Sequence, residues 1–404
     1  MSIFDKFQPI AATLQRLLES GESPFGVVTE ELRSATEGVI NGHTVILAGT
    51  NNYLGLTFAP ECIAAAKEAL ESQGTGTTGS RMANGTYSGH VELERELADF
   101  LGTDSAIVFT TGYQATMGVV STLMGQGDVI LLDADSHASI YDGSLRGGAE
   151  FLRFRHNNVE DLEKRLSGLG ERASKALIVV EGIYSMLGDR APLREIVEIK
   201  RRYGSYLLVD EAHSMGVLGN HGRGLAEEAG VEDEVDFIVG TFSKSLGSVG
   251  GFCVSRHPEF ELLRYSIRPY IFTASSTPAT IASARAALAM VREHPEIREK
   301  LWENAHRVYN GLRDLGFRVG PEASPVVATV MDNREHAVTA WNTLLSMGVY
   351  VNLVLPPAAP KSSSLLRCSV SAAHTPEQID RILEAYAVLV GKSDAAADYK
   401  VAIT

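Results

Sequence analysis

The sequence predicts an α/β chain: a large domain built on a mostly parallel sheet, followed by a smaller C-terminal α+β domain. Two patterns carry that expectation. Between Ala106 and Val254, short apolar runs such as DVILLD, ALIVVEG and YLLVDEA alternate with helical stretches. Strands that are apolar on both faces and joined by helices of roughly 10 to 15 residues belong in a parallel sheet covered on both sides. Beyond Pro278 the rhythm changes to a long helix-rich stretch and then a shorter alternation of strands and helices.

Taken in order, IFDKFQPIAATLQRLL reads as an amphipathic helix, and VINGHTVILAG reads as a hairpin turning at Asn41-Gly42. The alternation then runs AIVF, a helix from Tyr113, DVILLD, a helix after Ser136, EFLRF, a helix near Val159, ALIVVEG, a helix after Pro192, and YLLVDEA. DFIVG and GGFCV lie too close together for a helical crossover, so one of them is expected to pair antiparallel at an edge. The C-terminal part reads as helices from Pro278 to Leu315, VVATVM, a helix near Val338, VYVNLVL, LLRCSV and a helix after Thr375. PPAAPKSSS reads as a loop and DAAADYKVAIT as a weakly specified tail. The expected divisions are an N-terminal helix and hairpin over 1–50, a large domain over 51–280 and a small one over 281–404.

With 404 residues, 45% hydrophobic and 21% charged, the chain can fill a sizeable core and is not disordered in bulk. Its 36 basic against 50 acidic residues give a net charge of −14, which repels phosphate backbones, so no nucleic-acid partner is expected. Cys62, Cys253 and Cys368 are odd in number and far apart, which suits a reducing cytoplasm rather than a disulfide framework or a metal site. The first residues lack the basic start and apolar run of a secretion signal. No apolar run approaches the roughly 20 residues that span a bilayer.

Two motifs mislead. Gly74, Gly76 and Gly79 spell GxGxxG, but a helix precedes them where a dinucleotide site needs a strand, so they are expected to serve a tight turn. VDEAH looks like a helicase motif, yet no GxxxxGK[ST] loop accompanies it.

What remains is an ordered set of polar residues at the ends of expected strands, where open α/β sheets place their ligands. The set is TTGY (Thr110 to Tyr113), DADSHASIYDG (Asp133 to Gly143), EGIYSMLGD (Glu181 to Asp189), VDEAHSMG (Val209 to Gly216) and GTFSKSLGSVGG (Gly240 to Gly251). Together with RFRHN, RPYIFTAS and LLRCS, these motifs resemble the α-oxoamine synthases among the fold-type I pyridoxal-phosphate enzymes, over nearly the whole chain. Within that family the likeness is greatest to the bacterial serine palmitoyltransferase branch.

The resemblance implies a role for each residue. Lys244 would be the amine that carries pyridoxal 5′-phosphate, with Asp210 holding the proton on the pyridine nitrogen. His213, assisted by Ser185, would bond the phenolic oxygen, and His137 would stack on the ring and meet the substrate carboxylate. Gly112 and Tyr113, opening a helix, with the hydroxyls of Thr241 and Ser243, would hold the phosphate. Thr273 would be supplied by the partner protomer, which implies a homodimer. Arg367 would clamp the amino-acid carboxylate, and Asn52 and Tyr53 would lie near the substrate.

The implied substrates are L-serine and a long-chain acyl thioester, on coenzyme A or acyl carrier protein, with peripheral membrane contact for so apolar a product. Another α-oxoamine synthase activity and a non-catalytic subunit of the same fold are the alternatives. One departure stands out. The branch carries an arginine before its Pro-Pro pair, where this chain has Leu355.

Overall fold

Seven of the apolar runs form the strands of one sheet: β1 (Ser105–Phe109), β2 (Val129–Asp133), β3 (Glu150–Phe154), β4 (Leu177–Glu181), β5 (Tyr206–Asp210), β6 (Phe237–Thr241) and β7 (Gly251–Ser255). The order across the sheet is β1-β7-β6-β5-β4-β2-β3. Pairing is parallel from β6 through β3, and β7 runs antiparallel to both of its neighbours. The expected antiparallel strand is therefore present but not at the edge, because β1 adds to its far side. Only an inner strand is bonded on both sides, and all five residues of β7 are buried accordingly.

The computed structural model describes residues 2–19, 23–356, 358–359 and 363–393. The chain divides into two compact units, one made of Asn51–Ser185 and Asp189–Leu301, the other of residues up to Thr50, Met186–Gly188 and residues from Trp302. One boundary falls after Thr50, where it was expected, but the first fifty residues cluster with the C-terminal part, and the boundary expected at 280 falls instead inside the Pro295–Asp314 helix. The expected tail, and Pro357 and residues 360–362 of the expected loop, lie outside the described residues.

In the larger unit the sheet core joins Ile107, Ile130, Leu132, Val179, Leu208 and Val239 to Val119 and Val120 of the Gly112–Leu123 helix. That helix packs closely on the Ala138–Gly147 helix. A Cβ at Gly147 would stand 2.2 Å from the Met124 carbonyl oxygen, so only glycine permits the approach.

In the smaller unit, Glu37–Ile40 and His43–Leu47 form the expected hairpin, with Asn41 and Gly42 both at positive φ as a type I′ turn requires. VYVNLVL is a correction. Val349–Tyr350 joins that hairpin in parallel, whereas Asn352–Val354 joins a second sheet with Ser364–Ser369 and Val326–Met331. The break falls at Val351, whose carbonyl accepts from the buried Trp341 indole at 2.8 Å instead of from a ladder.

No helix among the described residues is long and apolar enough to cross a membrane. Leu208 is fully buried between β4 and β6. Leu208→Ala is expected to cost about 2–5 kcal/mol, read as a fall in the urea unfolding midpoint without a change of slope.

Candidate active site

The parallel strands β2, β4, β5 and β6 end on Asp133, Glu181, Asp210 and Thr241. Glu181 and Asp210 are direct register neighbours. A run of buried aliphatic residues followed at once by a buried carboxylate needs compensation at that point. Asp210 receives it from the Ala212 N–H at 2.9 Å and the Thr116 hydroxyl at 3.3 Å. Glu181 accepts the His137 N–H at 2.5 Å.

A cavity of about 290 Å³ opens beside these strand ends, lined by Gly112, Tyr113, His137, Glu181, Asp210, His213, Thr241, Ser243 and Lys244 among others. At one end, Thr111 caps the Gly112–Leu123 helix by accepting from the Gln114 N–H at 3.2 Å. Its first-turn N–H groups, those of Gly112 and Tyr113, have no intrahelical acceptor and carry the positive end of the helix dipole. The missing Cβ of Gly112 lets Thr241 come close, since that atom would stand 2.7 Å from the Thr241 Cβ. The Thr241 hydroxyl donates to the Gly250 carbonyl at 2.9 Å and accepts from Ser243 at 2.8 Å. This end is a cradle for an anion.

Lys244 sits half-buried in a tight turn whose flanks are fixed. Phe242, Ser245 and Leu246 are buried, the Gly247 N–H donates to the Lys244 carbonyl at 3.0 Å, and Ser245 donates to the Met215 carbonyl at 2.6 Å. Gly250 adopts φ +147°, and the Phe242 ring occupies the space where a side chain would go.

His137 caps the Ala138–Gly147 helix, its Nδ1 accepting from the Ser139 N–H at 3.2 Å. Burial lowers the His137 pKa below the usual imidazole value, the Asp210 charge opposes that, and the Lys244 charge adds a smaller lowering. Burial first and the Asp210 charge second push Glu181 well above the usual carboxylate range.

The remaining expected residues are not among those lining this cavity. Tyr53 is fully buried, and its hydroxyl bonds His213 Nδ1 at 2.7 Å, so it supports that histidine instead of lining the cavity. Asn52 donates to Thr57 at 2.7 Å. Thr273 accepts from the Gln114 amide at 3.5 Å, and Ser185 is half-buried outside the lining. Arg367 belongs to the smaller unit, buried on the Ser364–Ser369 strand and donating to Ser369 at 2.8 Å. Sequence reasoning missed Glu181 and Thr116. The signal for Glu181 was available, because an acid directly after ALIVV ends a buried strand in the same way as Asp210. Thr116 carries no such signal. Among the described residues no cluster of His, Cys, Asp or Glu could hold a metal ion.

The family description "Aminotransferase class I and II" matches residues 43–385. The chain belongs to that family. It is 60% identical to the serine palmitoyltransferase of Caulobacter vibrioides, over 96% of each chain, and 53% identical to that of Sphingomonas paucimobilis, over 94% of this chain and 91% of the other. The 8-amino-7-oxononanoate synthase of Geobacter sulfurreducens is 40% identical over 94% of this chain and 97% of its own. Among solved structures, the serine palmitoyltransferase of S. paucimobilis with a bound PLP–myriocin aldimine superposes with a TM-score of 0.95 at 51% identity, covering 98% of this chain and all of that one. The enzyme of Sphingomonas wittichii gives 0.95 at 50%, with the same coverage.

The raised Glu181 has a consequence for stability. A carboxyl whose pKa rises on folding contributes stability at low pH and loses it as pH climbs above the unfolded value of about 4.3. Glu181→Gln keeps the shape and stays neutral. Its melting temperature is expected to match that of the parent at acid pH and to exceed it increasingly toward neutrality; a parent that stays ahead at neutral pH would contradict this.

Proposed function

We propose that the chain is a pyridoxal-phosphate-dependent acyltransferase that condenses L-serine with a long-chain acyl thioester. It releases CO₂ and the free thiol and forms 3-oxosphinganine (3-ketodihydrosphingosine), the first step of sphingolipid synthesis. One observation carries the reading: Lys244, Asp210 and an anion cradle line the same cavity. A buried carboxylate suits a pyridinium nitrogen, an amine suits an aldehyde, and the unbonded first-turn N–H groups suit a phosphate, so the donor set fits pyridoxal phosphate. The choice of serine rests on the relatives at 60% and 53% identity, against 40% for a synthase of another product.

When bound, pyridoxal phosphate supplies an electron sink for charge that develops at the substrate Cα. Asp210 keeps the pyridine nitrogen protonated, and the Thr116 hydroxyl and Ala212 N–H hold that carboxylate in place. Gly112 and Tyr113 with Thr241 and Ser243 anchor the phosphate, while His213 and Ser185 bond the phenolic oxygen. Tyr53 fixes which nitrogen of His213 faces inward. His137, which lines the cavity, would lie against the ring of the bound cofactor and donate to the substrate carboxylate. The family resemblance would assign Arg367 to clamp that carboxylate and Asn52 to the neighbourhood of the substrate. Lys244 takes the proton from serine Cα and returns one to the same carbon after CO₂ has left.

The chain works as a homodimer in which Thr273 of each protomer completes its partner's phosphate site. Exposed Leu262, Tyr265 and Phe272 in the same region support an apolar contact. The acyl donor is coenzyme A or acyl carrier protein. We place the enzyme in the cytoplasm, where its three free thiols stay reduced, touching the inner face of the membrane to hand over its product.

Mass spectrometry of a reaction with L-serine and palmitoyl-CoA is expected to find 3-oxosphinganine; product only from L-alanine or glycine would shift the reading to another member of the family. Lys244→Ala should stay folded yet give no lysine adduct on borohydride reduction, and an adduct at another lysine would refute its role. Asp210→Asn is expected to lose turnover by about a hundred-fold or more, as removal of an electrostatic partner at a reacting centre does.

A further inference from the structure

His156, in the RFRHN segment, takes no part in the chemistry above. Its two ring nitrogens nonetheless meet two buried carboxylates, Nδ1 with Asp133 Oδ1 at 2.8 Å and Nε2 with Asp189 Oδ2 at 2.6 Å. A carboxylate only accepts, so both nitrogens must carry protons and the ring is an imidazolium. Asp135 lies 3.9 Å from Nδ1, and the Tyr184 ring meets the imidazole edge-on at 4.5 Å between centroids. Burial alone would lower the pKa of this ring; the hydrogen bonds and charges of Asp133 and Asp189 more than offset it and raise it to about 10.

The two carboxylates are not equivalent in sequence. Asp133 ends β2 and stands four residues before His137, and it also accepts the Asp135 and Asn157 N–H groups at 2.8 Å each. Asp189 closes the turn that carries Ser185: its carbonyl accepts from the Tyr184 N–H at 2.8 Å, and Ile183 and Arg190 form a bridge beside it. Asn157 reinforces the second tie by donating to Asp189 at 3.1 Å and to the Arg190 carbonyl at 2.8 Å.

We propose that His156 is a positioning residue: a fixed cation that ties the strand end before His137 to the turn bearing Ser185, and so sets both side chains against the cofactor. The inference rests on the proposed roles of those two residues. Losing the cation leaves Asp133 and Asp189 as two buried like charges with no reason to stay together. The effect reaches the cofactor through a small displacement of His137 and Ser185, to which rates are sensitive.

The test compares the holoenzyme with His156→Leu and His156→Gln, each well below its melting temperature. In His156→Leu, kcat is expected to fall about ten-fold or more, with weaker retention of pyridoxal phosphate and reduced visible circular dichroism of the bound cofactor. His156→Gln, which still offers two N–H donors, should recover part of each. A folded His156→Leu protein with parental kcat, cofactor retention and dichroism overturns the proposal. Where His156→Leu does not fold, nitrogen-15 NMR of histidine-labelled parent protein decides. A doubly protonated ring at about pH 8 supports the fixed cation, and a neutral ring overturns it. A parent that binds no pyridoxal phosphate would sink the proposed function instead, with the NMR still judging the ring.

Discussion

Everything at the site follows from carboxylates held out of water at the ends of parallel strands. Each is costly unless something answers its charge, and each is answered differently. Asp210 accepts two donors and lines the cavity. Glu181 is driven toward neutrality by burial and by Asp210, and it spends its oxygen on the His137 backbone. Asp133 is met by an imidazolium. Three acids in three adjacent strands therefore do three jobs, set by neighbours and not by residue type.

Glycines do comparable work for the opposite end of the cavity. The approach of Thr241 and Gly251 to Gly112 packs the end of β6 and the start of β7 against the start of the Gly112–Leu123 helix, while the Phe242 ring against Gly250 folds the loop between them on itself. That brings hydroxyls and backbone N–H groups together on an acidic chain with a net charge of −14. An anion site in such a protein depends on local geometry, because the overall field opposes it.

Much of this was legible beforehand. The apolar runs from Ala106 to Val254 are strands, and the ordered polar motifs mark one edge of one sheet, because strand ends in a parallel sheet all point the same way. What was not legible depends on contacts distant in sequence. The antiparallel pairing of GGFCV was expected, but its inner position needs β1, which lies far upstream. VYVNLVL looks like one strand, and only Trp341, seen in three dimensions, explains its division at Val351. Tyr53 reads as a substrate contact until its hydroxyl is found on His213. Thr116 is invisible in a helical run, since nothing in its neighbours announces an acid 94 residues further along the chain.

The place of β7 between β1 and β6 bears on how the protein is made. The only strand beside β1 in the described sheet is β7, so during synthesis it has no strand partner until the chain has been extended past Ser255. The helix whose first turn forms the anion cradle begins three residues after β1 ends. On a ribosome, the middle of the sheet can therefore assemble while its upstream margin stays open. The vitamin-binding end of the pocket closes late, once that long-range pairing has overcome the entropy of joining segments so far apart.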